Sequence, residues 1–339
     1  MSQRSAPRHF LRLCDLADRE IDDILDLGAR LRRGVRGADL ANKTVGLLFF
    51  RGSLRTRSSF EVALNQLGGH ALNLNAKTDF WRLEERAGTV MDGEAPEHIC
   101  DAAAVLSCYA DALAIRPALA GKSWERDRQD TELSAWAQHS QVPVINMESA
   151  LWHPLQALAD LMTLRDALGK LPGKRLAITW TRSPSPGSPA VVHSILMAAL
   201  RAGMNVSLAH PKGFNLEPSV MDEARSQAET QGATLELGHD MDAAARDAHV
   251  VYARSWWPLE SYGNATLTAS RLARETGWCV DERTLALGQD ARLMHPMPVR
   301  RNLEVSDEVL DGPRSLAIDQ AANRLHTQKG LLSLLFRPS

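Results

Sequence analysis

Short apolar runs alternate with amphipathic segments along most of the chain. Val45 to Phe50 is almost entirely apolar, which is typical of a parallel strand buried on both faces. Leu16 to Arg33 and the stretch after Ser53 instead repeat apolar residues at helical spacing, and the second of these ends at Gly68-Gly69, a favourable helix C-cap. The same patterns predict further strands and helices at 71–74, 96–106, 112–115, 132–138, 143–146, 153–168, 175–180, 190–201, 205–209, 218–231, 250–253 and 291–294, with a final helix after Asp319.

This alternation predicts repeated strand–helix units, and therefore an α/β fold with two domains, each built on a parallel sheet covered by helices. The helix predicted from about His153 to Leu168 is followed by the turn-rich stretch Gly169 to Gly173, so we expect that helix to join the domains. The first domain is expected over residues 1–150 and the second over 151–318, with a C-terminal helix over 319–339 packing back on the first domain.

Composition narrows the class of protein. The chain has 339 residues, of which 44% are hydrophobic and 24% charged, and a net charge of −2, as expected for a soluble two-domain protein. It carries neither a basic face or tail for nucleic acid nor an apolar run of about 18 residues for a membrane span. The basic stretch Met1 to Arg8 leads into no apolar signal core.

The cysteines and histidines predict no cofactor. Cys14, Cys100, Cys108 and Cys279 lack Cys-x-x-Cys spacing, so free thiols in a reducing cytoplasm are expected. The histidines show no metal-ligand spacing, and no Gly-x-Gly-x-x-Gly follows a predicted strand. We therefore expect neither a metal nor another cofactor, and we discard a dinucleotide-binding dehydrogenase.

Ligands of parallel α/β sheets bind beyond the carboxyl ends of the strands, and the first candidate motif lies there. Ser53-Leu54-Arg55-Thr56-Arg57 stands between a predicted strand and a predicted helix. Two arginines in the first turn oppose the helix dipole, which makes sense if an anion binds there. Backbone N–H groups, hydroxyls and guanidiniums would together hold a phosphate. The alternative is a solvated basic turn.

Two further candidates occupy equivalent places. Arg116 directly follows the strand predicted at 112–115, and His153-Pro154-Leu155-Gln156 opens the inter-domain helix. His153 and Gln156 are three residues apart and share one helix face, where they could polarise a carbonyl and bind an amide. Singly, a strand-end arginine is more often a surface residue, and this tetrapeptide more often a polar helix start.

The three candidates together, followed by His295-Pro296-Met297-Pro298-Val299-Arg300-Arg301-Asn302, resemble the aspartate/ornithine transcarbamylase family over essentially the whole chain. The resemblance implies a first domain that binds carbamoyl phosphate through Ser53, Leu54, Arg55, Thr56, Arg57, Trp81, Arg116, His153, Gln156 and Arg300. It implies that the catalytic residues Thr56, Arg116 and His153 surround the carbamoyl oxygen and that Gln156 binds the amide nitrogen. It also implies that the loop around Trp81 reaches a neighbouring subunit, giving a homotrimer.

Several stretches resemble the N-acetylornithine and N-succinylornithine branch more than the rest, including Thr89 to Gly93, Val142 to Glu148 and Val251 to Trp256. The branch implies transfer of a carbamoyl group to the δ-amine of an N-acylornithine, in arginine biosynthesis. The expected acceptor-binding residues are Pro96, Glu148, Arg254, His295, Pro296, Met297 and Glu304. The proline-rich loop Thr181 to Pro189 resembles the loop of the knotted enzymes of this branch, which implies a knot in the second domain.

The resemblance also bears on the acyl group, through one position and three short segments. Acetyl-specific members carry Glu where this chain has Pro96, and succinyl-specific members carry Pro, which would leave room for the succinyl carboxylate. The segment from Glu148 to His153 also has the succinyl-type length, whereas Ala317 to Asp319 and Arg324 to His326 are closer to the acetyl type. The sequence therefore favours N-succinylornithine over N-acetylornithine.

Three residues depart from the branch pattern. Pro296 stands where ornithine-type enzymes have Cys and aspartate enzymes have Pro; Arg254 replaces a Lys; and Glu304 replaces a Lys that becomes carboxylated in acetyl-type members. Arg binds carboxylates bidentately but is not equivalent to Lys, while Glu304 would preserve the negative charge. An ornithine or aspartate carbamoyltransferase, or a phosphate-binding member without activity, remain alternatives.

Overall fold

A computed structural model describes residues 7–35, 37 and 39–337. The outer ends of the expected first domain and C-terminal helix, including most of the Met1 to Arg8 stretch, lie outside the described residues. The described residues form two compact units, one of residues 7–35, 37, 39–120, 125–158 and 324–337 and the other of 121–124 and 159–323. The predicted α/β class with two parallel-sheet domains is confirmed. The four cysteines all lie in the described part of the chain, and none of them forms a disulfide.

The first unit is built on a four-stranded parallel sheet in the order β2-β1-β5-β6, with a separate two-stranded ribbon of β3 and β4. Its strands are β1 (Thr44–Phe49), β2 (His70–Asn75), β3 (Leu83–Glu84), β4 (Glu97–His98), β5 (Ala112–Arg116) and β6 (Val144–Asn146). Its helices are α1 (Asp18–Arg32), α2 (Arg55–Gln66), α3 (Ile99–Tyr109), α4 (Trp124–Asp127), which begins in the second unit, and α5 (Thr131–His139). The core under the sheet is apolar and includes Leu48, Ile115 and Trp136.

The second unit is built on a five-stranded parallel sheet in the order β11-β10-β7-β8-β9. Its strands are β7 (Arg175–Trp180), β8 (Asn205–Ala209), β9 (Leu235–Gly238), β10 (Val250–Arg254) and β11 (Arg292–Met294). Its helices are α7 (Ala190–Arg201), α8 (Pro218–Gln231), α9 (Met241–Ala245), α10 (Ala265–Arg274), α11 (Glu282–Ala286) and α12 (Asp307–Asp311).

Two long helices pass from one unit into the other: α6 (Pro154–Leu168) and α13 (Ala317–Leu335). The division falls within each of them, after Leu158 and after Asn323, whereas the sequence placed the domain boundaries at 150/151 and 318/319. Turn residues mark where a helix ends, and a helix that is continuous across a boundary offers no such mark. The C-terminal part of α13 belongs to the first unit, where Lys329 donates to Gln66 on α2 over 2.8 Å.

The proline-rich loop Thr181 to Pro189 joins β7 to α7. Its backbone is tied to the neighbouring strand end, because Thr181 donates to the carbonyl of Arg254 and Trp257 donates to that of Gly187. The knot implied for this loop stays a prediction. Among the residues for which the structure gives positions, no helix is both long and apolar enough to cross a membrane.

Candidate functional site

The motif from Ser53 to Arg57 lies between the end of β1 and the first turn of α2, as predicted. The hydroxyl of Ser53 accepts the backbone N–H of Thr56 over 3.2 Å, which caps the helix although Ser53 stands one residue outside the cap position. Thr56 is buried, whereas the side chain of Leu54 is exposed, so the backbone N–H of Leu54 is the group it can offer an anion. Arg57 donates to Asn73 over 3.1 Å and lies over the ring of Phe49.

Thr56 and Gln156 are joined by a buried cation that the sequence analysis did not assign to the site. The guanidinium of Arg324, on α13, donates to Oε1 of Gln156 over 2.8 Å and to Oγ1 of Thr56 over 2.9 Å. All three residues are buried. Arg324 therefore fixes two of the predicted carbamoyl-phosphate ligands relative to each other.

Arg116, at the carboxyl end of β5, is held by Glu148. The Arg116 Nη2 and Glu148 Oε2 atoms lie 2.6 Å apart, and both side chains are almost buried. His153 Nε2 lies 3.9 Å from the same carboxylate oxygen. Arg51, which follows β1, donates to the backbone carbonyl of Glu148 over 2.6 Å and lies 3.6 Å from Oε1 of the side chain. Three of the predicted site residues, Arg116, Glu148 and His153, thus form one cluster with Arg51 and with Arg324, whose charge also acts on His153.

The backbone of Glu148 is strained, since its φ of +132° lies in a region that non-glycine residues rarely adopt. Three neighbours hold it there. Asn146 Oδ1 accepts the Glu148 N–H over 2.9 Å, Asn146 Nδ2 donates to the Ser149 hydroxyl over 3.1 Å, and Asp130 accepts from Ser149 and from the N–H of Ala150. Strain of this kind is kept where the surroundings over-determine it, as at binding sites.

The cluster keeps His153 neutral. Burial, and then the positive charges of Arg324, Arg116 and Arg51, hold the pKa of His153 well below its ordinary value, although Glu148 acts in the opposite direction. The pKa of Arg116 is also lowered, because burial prevails over the opposing effect of Glu148. A neutral imidazole among guanidiniums can donate a hydrogen bond to a carbonyl oxygen without giving up its proton.

The remaining predicted residues of the first unit lie in its outer loop. Trp81 is 59% exposed, and its indole N–H donates to the carboxylate of Glu97 over 2.8 Å. Pro96 is also exposed and directly precedes Glu97. Within its own chain this loop presents an aromatic ring and Pro96 to the outside.

In the second unit, the predicted acceptor residues gather at the carboxyl ends of β10 and β11. His295 is buried and pairs with Glu304, with 3.1 Å between Nε2 and Oε2. Burial is the largest single effect and raises the pKa of Glu304, but the interactions with His295, Arg300 and Arg254 together outweigh burial, so the net direction is downward. Pro296 is buried, Met297 is half-buried, and the N–H of Met297 donates to Nδ1 of His295 over 3.0 Å.

Arg254 and Arg300 contact the proline-rich loop. The Arg254 guanidinium lies so close to Gly187 that a Cβ there would collide with it, and its charge helps to lower the pKa of Glu304. Arg300 donates to the hydroxyl of Ser183 over 3.2 Å and to that of Ser185 over 2.6 Å. The loop therefore belongs to the same end of the sheet as the acceptor residues.

Two protein-family models match successive parts of the chain. Residues 8–166 match the carbamoyl-phosphate-binding domain of aspartate/ornithine carbamoyltransferases, and residues 186–335 match their aspartate/ornithine-binding domain. The chain belongs to the aspartate/ornithine carbamoyltransferase family. The family and the enzyme class predicted from the sequence are confirmed.

Relatives of three kinds are similar to this carbamoyltransferase over most of its length. N-acetylornithine carbamoyltransferase of Xanthomonas campestris pv. campestris is 40% identical over 97% of both chains. Ornithine carbamoyltransferase of Parasynechococcus marenigrum is 38% identical over 97% of this chain and 93% of the relative. N-succinylornithine carbamoyltransferase of Bacteroides fragilis is 33% identical over 84% of both chains.

Solved structures extend the likeness. Acetylornithine transcarbamylase complexed with acetylcitrulline superposes with a TM-score of 0.94 at 40% identity, over 97% of this carbamoyltransferase and 99% of that chain. A glutamate-to-proline variant of N-acetyl-L-ornithine transcarbamylase, complexed with carbamyl phosphate and N-succinyl-L-norvaline, has a TM-score of 0.93 at 41% identity, over 96% and 99%. A lysine-to-glutamate variant, complexed with PALAO, matches with the same values.

Proposed function

We propose that this enzyme transfers the carbamoyl group of carbamoyl phosphate to the δ-amine of an N-acylornithine, giving an N-acylcitrulline and phosphate. The observation that carries the proposal is the cluster of the first unit, in which Arg51, Arg116 and Arg324 surround the neutral His153. A phosphate dianion needs such cations, and a carbamoyl carbonyl needs a donor that stays protonated.

The cluster suits the reaction step by step. The nitrogen of the neutral δ-amine attacks the carbamoyl carbon, and the bond from that carbon to the phosphate oxygen breaks. Thr56, Arg116 and His153 donate to the carbonyl oxygen as negative charge develops on it, and each preorganised donor contributes about 2.7–4 kcal/mol in comparable sites. Holding the two substrates in line supplies roughly 7–11 kcal/mol more. The proton lost by the amine goes to the departing phosphate.

N-succinylornithine is the acceptor that we favour. Pro96 stands where the acetyl-specific enzymes have Glu, and a Glu would repel the distal succinyl carboxylate. A glutamate-to-proline variant of N-acetyl-L-ornithine transcarbamylase has been crystallised with N-succinyl-L-norvaline, which supports this reading of Pro96. N-acetylornithine is the second candidate, because the enzyme named for that acceptor is more similar over the whole chain than the succinyl enzyme is, at 40% against 33% identity.

Glu304 and Arg254 adapt the acceptor half to this role. Glu304 holds a carboxylate against His295 and accepts the N–H of Arg300 over 3.1 Å. It thereby provides the negative charge that acetyl-type members would obtain from a carboxylated lysine. Arg254 provides a fork of donors for the α-carboxylate of the acceptor.

The exposed loop that carries Trp81 and Pro96 is proposed to complete the site of a neighbouring subunit in a homotrimer. An exposed indole beside an exposed proline is suited to a partner's binding site, because a tryptophan adds large apolar area at an interface. We expect the enzyme to act in the cytoplasm, in arginine biosynthesis.

The proposal is tested by incubating the purified enzyme with carbamoyl phosphate and, separately, N-succinylornithine, N-acetylornithine, ornithine and aspartate. Product from N-succinylornithine at the highest kcat/KM is expected. A preference for N-acetylornithine would favour the second candidate, and product from free ornithine or aspartate alone would refute the assignment of the acceptor half. Binding of carbamoyl phosphate without turnover on any amine would indicate a member without activity.

A further inference from the structure

The turn after β11, residues 295–298, is shaped by hydrogen bonds around His295. Because Nδ1 of His295 accepts the N–H of Met297 over 3.0 Å, the ring proton resides on Nε2, which donates to Glu304 over 3.1 Å. Met297 has a φ of +54°, in the left-handed region that non-glycine residues seldom occupy. The turn therefore depends on its anchor points to keep this conformation.

One anchor is a buried amide on α13. The backbone N–H of His295 donates to Oε1 of Gln320 over 2.8 Å, and Nε2 of Gln320 donates to Oδ1 of Asp160 on α6 over 2.7 Å. The hydroxyl of Tyr252 on β10 donates to the other carboxylate oxygen of Asp160 over 2.9 Å. All four residues have no exposed surface.

The charge of Asp160 sets the direction of these hydrogen bonds. An ionised carboxylate only accepts, so it requires the NH₂ side of the Gln320 amide. Burial, and then Asp160, hold the pKa of Tyr252 well above its ordinary value, so Tyr252 keeps the proton that it donates. The carbonyl oxygen of Gln320 is thereby directed at His295. An amide turned the other way would set NH₂ against the N–H of His295 and leave both donors without an acceptor.

We infer that Gln320 and Asp160 are positioning residues of the reaction. They fix the backbone of His295, and through its imidazole they fix Met297 and Glu304, without touching substrate themselves. This inference rests on the proposed function, which assigns the turn to acceptor binding. Fully satisfied buried networks of this kind rigidify their surroundings, whereas a half-satisfied one is costly, and the whole network lies within the second unit.

The test uses a substitution and its rescue. Gln320→Met keeps the length of the side chain but removes both polar atoms, and Gln320→Glu places a second carboxylate against Asp160. The double variant Asp160→Asn with Gln320→Glu restores the donor–acceptor matches between α13 and His295 and between α13 and α6, because the carboxylate introduced on α13 would accept from both His295 and the new amide on α6. Each single variant is expected to lower kcat by about tenfold or more, roughly the value of one lost hydrogen bond, and to raise KM for the acceptor.

Three readouts separate positioning from mere loss of structure. Affinity for carbamoyl phosphate alone, measured by titration calorimetry, should change less than the acceptor KM does, because Arg300 is the one proposed ligand of carbamoyl phosphate in the second unit. The double variant should recover kcat to within about threefold of the parent. This remaining loss is smaller than the loss of about tenfold expected when one hydrogen bond is removed. Gln320→Glu should lose activity as pH rises, since two adjacent carboxylates can share one proton only at lower pH.

Thr163→Val is the matched control. Thr163 accepts from Asn323 over 2.9 Å, so this change removes a buried hydrogen bond between the same two helices without touching the turn. It should lower stability and leave kcat unchanged. The inference is overturned if folded Gln320→Met keeps kcat and acceptor KM within twofold of the parent, or if the double variant is no better than its singles. A parent inactive on every acylornithine would instead remove the proposed function, and with it the role of the turn.

Discussion

Replacing Arg324 by Met tests whether the buried guanidinium organises the carbamoyl-phosphate half of the site. The change removes two charge-assisted hydrogen bonds, to Gln156 and to Thr56, each worth about 1.5–3 kcal/mol. Arg324 is only 3% exposed, so solvent screens little of this. If the full loss of roughly 3–6 kcal/mol appears in transition-state binding, kcat/KM for carbamoyl phosphate falls about 10²–10⁴-fold.

The same substitution should change the response to pH through His153. Arg324 contributes, after burial, to the lowered pKa of His153, so its removal should raise that pKa. The parent should keep kcat/KM as pH falls below about 6.5, the ordinary histidine pKa, and the acidic limb of the variant should lie at higher pH. A histidine with a lowered folded pKa makes stability fall as pH drops below its unfolded pKa, and this fall should be smaller in the variant.

Steady-state kinetics across pH and urea unfolding of each variant provide the measurement. Lys329→Met is the matched control, because Lys329 is a buried cation on the same helix that donates to an amide, Gln66, outside the cluster. The control should lose stability and keep its kinetic constants. A folded Arg324→Met variant whose kcat/KM and acidic limb both match the parent would show that the guanidinium is only a structural support.

Three further predictions concern the acceptor and the assembly. Pro96→Glu should shift preference from N-succinylornithine to N-acetylornithine, because the introduced carboxylate and the succinyl carboxylate, about 4 Å apart at an effective dielectric of about 20, would repel by roughly 4 kcal/mol. The measurement is the ratio of kcat/KM for the two acceptors, and an unchanged ratio would contradict the prediction. Glu304→Gln should lower stability above about pH 4 but not at lower pH, because a carboxylate with a lowered folded pKa stabilises only while it is ionised. Urea unfolding of parent and variant at several pH values gives the difference in the free energy of unfolding, and a difference that persists in acid would refute the prediction. Mixing inactive Trp81→Ala and His153→Ala subunits under exchange should restore activity if sites are shared, whereas sites confined to one chain predict no recovery in the same assay.

Much of the fold could be predicted because its central strands are buried on both faces. The bounds of β7, α7, β8 and α8 match those predicted, since each apolar run or helical repeat is bounded by polar or turn residues. The short elements β9, α9, α10, α11 and α12 were missed. They have few buried residues or only a turn or two of helix, so their apolar period is too short to stand out from loops.

The site was predicted less completely than the fold. The motif residues follow strands or begin helices, which the rule for parallel sheets identifies. Arg51 satisfies the same rule, because it comes shortly after β1 in the way that Arg116 ends β5, and could have been found by it. Arg324 and Gln320 could not, because they lie inside a helix, and a polar residue within a helical repeat is ordinarily a solvated one. Only the tertiary structure shows that this face of α13 is buried.

The first unit is assembled from stretches that are far apart in the order of translation. Its cluster includes Arg324, and Gly330 packs so tightly on α1 that a Cβ would lie 2.5 Å from the Ile24 carbonyl oxygen. A nascent chain that has not yet released residue 324 from the ribosome therefore lacks one cation of the cluster and the helix that covers α1. The proposed carbamoyl-phosphate half of the site is therefore complete only after the proposed acceptor half has been synthesised, so a prematurely terminated chain is expected to lack an intact site with which to sequester carbamoyl phosphate.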